Sequence, residues 1–514
     1  MPRSFCLISE PWIPCLRPHG EPTEFSLSEA LCQAHAVAEI HDPSPLVTVA
    51  LYRLLLAVLG RALQPLDEAA WVEMWRQGQW PEARLRAYLE TWAPRFDLFH
   101  PTQPFYQVTG LPERLAAPVS RLSQPLASGA RATLFDHTLD DSATAVRPAE
   151  AARLVVAYQP FCLSGRLGDE RGLTAVRSGH LANAAVFLPT GVSLFETLML
   201  NLLPTGLGCD TDEACLPAWE RTAPTDHAER LPEGLADLLT WQSRRLWLEP
   251  ATGPGGELQV GRVIVCGGWE MPRASSMPDP MLAYESRPQV GRRAARWVPL
   301  PLPRPGTWWQ LRAALMTRCR PGLRPPIALL WIAELAACGV LSPGYGCRLS
   351  VFGLKAHKAR IDAWGQDHQH LPVRYLEDSD LAADLERCLE VADATGTALG
   401  RALATALDGR PGGAAATGEK AGGARYWAHV QALLPRLLAE LPGDLQHRDA
   451  VLLWWAETCA QTAWEAFHEF AAGQSLTART LPQIVRAGRH LASGLHGRVL
   501  KPYHGGGASE TLGA

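Results

Sequence analysis

Lysine is almost missing from this chain: four of its 48 basic residues are lysines, and the rest are arginines. That skew reflects a composition bias, so an arginine at a given position is not by itself a choice for bidentate contact with phosphate or guanine. Twelve cysteines are present, but never as Cys-x-x-Cys, which removes the familiar zinc-ribbon and dithiol spacings. The closest pair, Cys209 and Cys215, flanks Asp210, Asp212 and Glu213. It reads either as a metal loop or as an exposed acidic loop with two reduced thiols, and no metal is expected.

A secretory leader is lacking too, because Met1-Pro-Arg-Ser-Phe-Cys-Leu-Ile runs straight into Ser9 and Glu10. The best candidate for a membrane span, Pro326 to Leu341, is short and interrupted by Glu334. A soluble, cytoplasmic protein without a membrane partner is expected. Catalytic signatures are absent as well: there is no GxSxG, no HExxH and no P-loop, since Gly253-Pro-Gly-Gly256 lacks the following Lys-Ser/Thr. His41-Asp42 is a lone dipeptide, and an Asp at a helix entry before Pro43 explains it without metal. His368 and His370 flank Gln369 in what reads as a polar loop, and His468-Glu469 has no second histidine at helical spacing. Nothing forces an enzymatic reading, and no cofactor is implied.

What the chain does have is bulk and uneven charge. Its 514 residues exceed one core's usual reach, and 47% apolar with 19% charged residues is a folding composition. Net charge is −4, yet between Ser286 and Ile361 a single acid, Glu334, faces thirteen bases. These include Arg292, Arg293, Arg296, Lys355 and Lys358. A second run, Leu476 to His504, has no acid and carries Arg479, Arg486, Arg489, Arg498 and Lys501. Positive charge gathered within an acidic chain is the expected footprint of a phosphate-binding surface. A solvated arginine-rich face is the plain alternative for either run alone.

The pattern predicts an α+β fold, with a large irregular mixed N-terminal domain (1–376), a C-terminal four-helix bundle (377–504) and a disordered tail (505–514). Phe5–Ile8 and Trp12–Arg17 read as strands, with a turn at His19-Gly20. Ser26-Leu-Ser-Glu29 has capping-box spacing, and Ser44-Pro45 opens a core helix. A Trp-rich amphipathic stretch covers Leu66 to Trp92. Two long loops follow, Ser128–Arg147 and the glycine-rich Ser164–Gly179. Ser193–Glu196 is a second capping box, starting a helix through Leu203. Around Cys347–Trp364 the reading is strand, turn, strand, with Gly353 as the break and Lys355–Lys358 at the tip. Beyond Ser379, leucines at helical spacing predict bundle helices. A Gly/Ala linker, Gly409–Gly423, separates the first from helices over Tyr426–Leu441, Arg448–Ala472 and Arg479–Val499.

Several of these segments together resemble the large subunit (CasA type) of the type I-E CRISPR surveillance complex, Cascade. They are Glu10-Pro-Trp-Ile-Pro14, Ser26-Leu-Ser-Glu-Ala-Leu31, Asp42-Pro-Ser-Pro-Leu-Val-Thr48 and His100-Pro-Thr-Gln-Pro-Phe-Tyr-Gln-Val108. Val351-Phe-Gly-Leu-Lys355, with Ile361 and Trp364, completes the set, in an order that covers essentially the whole chain. The resemblance implies a non-catalytic subunit in antiviral defence, where guide pairing reads sequence and the protein reads a short duplex signal, the PAM. It implies Phe135 as an aromatic contact to the guide end and the PAM-proximal region of the DNA. It implies that Gly165, Gly168, Arg171, Gly172, Thr174 and Arg177 lie in a minor-groove loop. It further implies that Lys355, His357 and Lys358 form a wedge that starts the R-loop, with lysine where relatives commonly carry glutamine. Arg292, Arg293, Arg296, Arg479, Arg486 and Arg489 are then candidates for phosphate contact. The implied partners are double-stranded target DNA, CRISPR RNA, the other Cascade subunits and the nuclease-helicase recruited to the R-loop. The rival reading is a metal-dependent hydrolase or nuclease using His41-Asp42 or the Asp210–Glu213 loop.

Overall fold

The computed structural model describes residues 4–123, 145–169, 172–207, 215–272, 278–288, 296–302, 322–342, 344–357, 360–407, 412–475, 477–478 and 480–504. Phe135, Arg171, the Asp210–Glu213 loop, Arg292, Arg293, Lys358, Arg479 and the expected tail lie outside them. The chain divides into two compact units, one built from Met1–Leu302 and Gly322–Gln369, the other helical from His370 onwards.

The first unit is mixed, as the pattern predicts. At its N-terminus Ile13–Leu16 pairs antiparallel with Pro22–Phe25 across the His19-Gly20 turn. Phe5–Ile8 does not form the strand expected; there Cys6 makes an isolated bridge to Asp97. The Ser26 capping box forms in full, the hydroxyl accepting from the Glu29 amide and the Glu29 carboxylate accepting from the Ser26 amide. Ser193 caps the Leu194–Asn201 helix, but Glu196 reaches back to the Val192 amide instead, so that box is half made, and the helix stops short of Leu203.

The core helix is Pro45–Ala62. Among the described residues it is the one helix long and apolar enough to span a bilayer, and 89% of it is buried inside the protein. Hydropathy along the sequence points instead to Pro326–Leu341, where the helix covers only Ile327–Ala337. In the middle of the core helix, Arg53 is 1% exposed. Its guanidinium meets the Asp279 carboxylate at 2.8 Å and His180 Nε2 at 3.1 Å. A charge this deep is tolerated only when paired.

Two of the further sheets among the described residues, both antiparallel, bear on the site. Arg244–Thr252 pairs with Leu258–Gly267, with a bulge between Val260 and Arg262. The wholly buried strand Ala185–Thr190 pairs with Gly346–His357, which pairs in turn with Arg360–Pro372. Gly353 does not break this strand. A Cβ there would stand 2.7 Å from the Ala184 carbonyl oxygen, so glycine lets two backbones approach inside a continuous strand. His368 likewise lies in a strand, with Nδ1 2.8 Å from Ser350 Oγ, and not in a polar loop.

The second unit is the expected bundle: helices Ser379–Ala406, Gly412–Glu440, Leu445–Ala472 and Thr480–Leu495. Buried tyrosine and tryptophan tie them together, as Tyr426 donates to the Ala392 carbonyl and Trp455 to the Cys388 carbonyl. The linker expected over Gly409–Gly423 is helical from Gly412 onwards. Gly422 is packed where a Cβ would come 2.7 Å from Leu403 Cδ1, and Gly396 likewise makes room for the Trp427 ring. These glycines are packing choices.

Candidate nucleic-acid interface

The glycine-rich stretch is a β-hairpin and not the long loop its composition suggests: Gly165–Gly168 pairs antiparallel with Leu173–Val176. Period-two alternation buries Leu167 and Val176 while Arg166, Leu173 and Ala175 face outwards. Gly172, at φ +133°, takes a conformation that side chains resist, and its carbonyl receives the Asp169 amide at 2.8 Å, closing the turn. Gly168 lies so close to Leu115 that a Cβ would meet its methyl at 2.5 Å, whereas nothing lies within 4 Å of a Cβ on Gly165. Thr174 turns its hydroxyl inward to the buried Asp169 carboxylate at 2.6 Å.

The base of this hairpin is held by Arg244, which the sequence did not single out, and by Arg177, which it placed in the groove-facing loop. Arg244, 1% exposed, donates to the Leu163 carbonyl at 2.9 Å and the Arg177 carbonyl at 2.5 Å, clasping both strand ends. Arg177 directs its own guanidinium to Glu229 and Glu270, each at 3.2 Å. Its job in the fold is therefore to anchor the hairpin, while Arg166 is the arginine that faces outwards. The alternation of Arg166 with Leu167 is the readable signal in the first strand; in the second it misleads, since apolar Leu173 faces outwards and Thr174 inwards.

At the second predicted element, Gly346–His357 and Arg360–Pro372 form a long hairpin whose end carries exposed Lys355, His357 and Arg360. The strand is gripped just before its end. The Asn183 amide donates to the Leu354 carbonyl at 2.8 Å, and Asn183 Oδ1 accepts from the Ala356 amide at 2.6 Å.

The basic run from Ser286 to Ile361 does not act as one patch in the described residues. Arg287 is paired with Glu285, and Arg348 with Glu39. Arg324 lies 3.8 Å over the Trp297 ring. Arg296 joins Lys355 and Arg360 as exposed. On the last bundle helix Ala487, Leu491 and Leu495 turn inward, and Arg486 and Arg489 are exposed.

The His41-Asp42 dipeptide is built for structure. Asp42 accepts from the Ser44 amide at 2.8 Å and pairs with Arg153 at 3.3 Å. Burial outweighs these contacts and pushes its carboxyl up. Among the described residues, no group of three or more His, Cys, Asp or Glu side chains could hold a metal ion.

A family model for the CRISPR-associated protein Cse1 (CRISPR_cse1) matches residues 7–466. The chain belongs to that family. The Cse1-family assignment bears out the resemblance to the type I-E Cascade large subunit read from the N-terminal and hairpin motifs. A curated relative, the CRISPR-associated protein CasA/Cse1 of Thermus thermophilus, is 44% identical over 220 residues. That alignment spans 42% of this chain and 42% of the relative. The crystal structure of Cse1 from Acidimicrobium ferrooxidans superposes with a TM-score of 0.82 at 25% identity, covering 98% of this chain and 99% of that one. A chain of a CRISPR RNA-guided surveillance complex shares the fold at a TM-score of 0.75 and 23% identity, over 96% of this chain and 100% of that one.

Proposed function

We propose that this Cse1-family chain is the non-catalytic DNA-recognition subunit of a cytoplasmic, RNA-guided CRISPR surveillance complex. In this reading the hairpin Gly165–Val176 enters the minor groove of target DNA at the PAM, with Gly172 bringing backbone close to the base edges. Phe135 meets the guide end. The long hairpin ending in Lys355, His357 and Lys358 wedges apart the first base pairs, so that guide pairing can proceed. Exposed arginines, Arg166, Arg296, Arg486 and Arg489 among them, follow phosphates. The bundle contacts neighbouring Cascade subunits and helps recruit the nuclease-helicase.

The observation that carries this reading is a hairpin whose exposed end is basic, in the same unit as a second, glycine-turned hairpin clasped at its base by a buried arginine. Lysine can fill a gap between bases and meet a phosphate, although it cannot copy an amide's paired hydrogen bonds.

The test uses the chain assembled with its guide RNA and partner subunits. His357→Ala/Lys358→Ala is expected to slow R-loop formation on PAM-bearing duplex while leaving non-specific DNA binding near the parent level. Equal loss of both would reject the wedge. Cleavage of DNA by the purified chain with Mg²⁺ or Mn²⁺ would instead favour the hydrolase reading.

A further inference from the structure

Asn183 is one of two described non-glycine residues with positive φ, at +67°. Asparagine tolerates this left-handed conformation better than most residues because its side chain can bond locally. Here it bonds at a distance instead, to a strand end 173 residues further on. Its amide and its side-chain oxygen take the Leu354 carbonyl and the Ala356 amide, two successive groups on the same edge of one strand. Ala182 makes a parallel bridge to Leu354 beside them. The grip therefore straddles Lys355 and holds the base of the exposed Lys355–His357 end of the long hairpin.

The segment that carries Asn183 is itself immobilised. Gly179 donates to the Cys162 carbonyl and Leu181 to the Pro160 carbonyl. A Cβ on Gly179 would run into the Pro160 carbonyl, so only glycine lets this run of chain sit so close. His180 is held from below by Arg53 and Asp279. Two residues before Gly179, Arg177 fixes the base of the glycine-turned hairpin. One short run, 177–183, thus leaves one hairpin and seizes the other.

We propose that Asn183 is a positioning residue for strand separation: it sets the long hairpin's end at a fixed place relative to the glycine-turned hairpin, so that duplex held by one is aimed at the other. This rests on the DNA-opening reading above. A wedge acts only if it does not yield when pressed against stacked bases. A side-chain clamp to the backbone supplies that stiffness without occupying the exposed face.

Asn183→Gly can keep the left-handed backbone and removes the side chain that carries the Oδ1 acceptor. In the isolated chain, hydrogen exchange should show faster exchange of the Ala356 amide, with thermal unfolding close to the parent. Unchanged Ala356 protection would overturn the clamp. In the assembled complex, opening of fully paired PAM-bearing duplex should slow about fivefold, the effect of one lost hydrogen bond. A target with its PAM-proximal pairs already mismatched should open at the parent rate. Equal slowing on both targets, or none on the paired one, would overturn the positioning role. Failure of the parent complex to open PAM-bearing duplex at all would reject the DNA-opening reading itself, and the exchange result would still decide whether the clamp exists.

Discussion

His180 is kept from taking up a second ring proton. Burial and the neighbouring Arg53 guanidinium push its imidazole down to about 3, against an ordinary 6.5. Burial alone would raise the Asp279 carboxyl, but Arg53 outweighs it and holds the group below the usual carboxylate range. In the unfolded chain His180 binds a proton as pH falls through 6.5, and in the folded chain it does not until about 3. Stability attributable to this site is therefore full above about 6.5 and declines steadily as pH drops towards 3. Asp279 contributes no slope above its ordinary value of 3.8. Denaturant unfolding at pH 7.5 and pH 5 should show a loss of stability on acidification that His180→Gln reduces. An identical loss in the variant would mean that His180 is not kept neutral.

At the scale of elements, Gly353 decides whether the long hairpin can join its sheet. Gly353→Ala places a methyl against the Ala184 carbonyl and Leu302, an overpacking expected to destabilise the first unit by about 1–3 kcal/mol in denaturant unfolding. If alanine proves neutral there, the close approach is not a constraint. This glycine also marks the limit of what the chain reveals locally. Signals that act within one turn are legible: the Ser26–Glu29 box, Pro45 at the first helical position, the alternation that places Leu349 and Val351 in a strand. Gly353 reads as a breaker because the strand it packs against lies far away in sequence. For the same reason Gly409–Gly423 reads as a linker, although the chain is helical from Gly412 and Gly422 fits against Leu403. Arg244 and Asn183 give no local signal at all, since Arg244 clasps carbonyls 67 and 81 residues away and Asn183 grips an amide 173 residues on. Of the candidate site, composition locates both segments but reads only the second as a hairpin, the glycine-rich one passing for a loop. It does not locate the residues that hold them in place.

For the whole molecule, charge must be judged by what is left over after internal pairing. Arg287, Arg348 and Arg177 are spent on the protein's own carboxylates, so a count of bases overstates the positive surface. Arg486 and Arg489 are exposed on the last bundle helix. If they meet phosphates, Arg486→Ala/Arg489→Ala should weaken binding of the assembled complex alike for PAM-bearing and PAM-free duplex. The plot of log affinity against log salt should then be shallower by about 2. An unchanged slope would remove this helix from the DNA path.

Arg53 also sets an order of events during synthesis. The one described helix both long and apolar enough to span a bilayer leaves the ribosome with a charge at its centre, and the carboxylate that neutralises it is made 226 residues later. Until then the helix has no complete site to enter, and an 18-residue apolar segment stays open to whatever in the cell recognises such segments. Nascent chains ending before Asp279 are expected to be protease-sensitive around Arg53, and limited proteolysis of full-length Asp279→Ala would separate the loss of this carboxylate from the loss of the later strands.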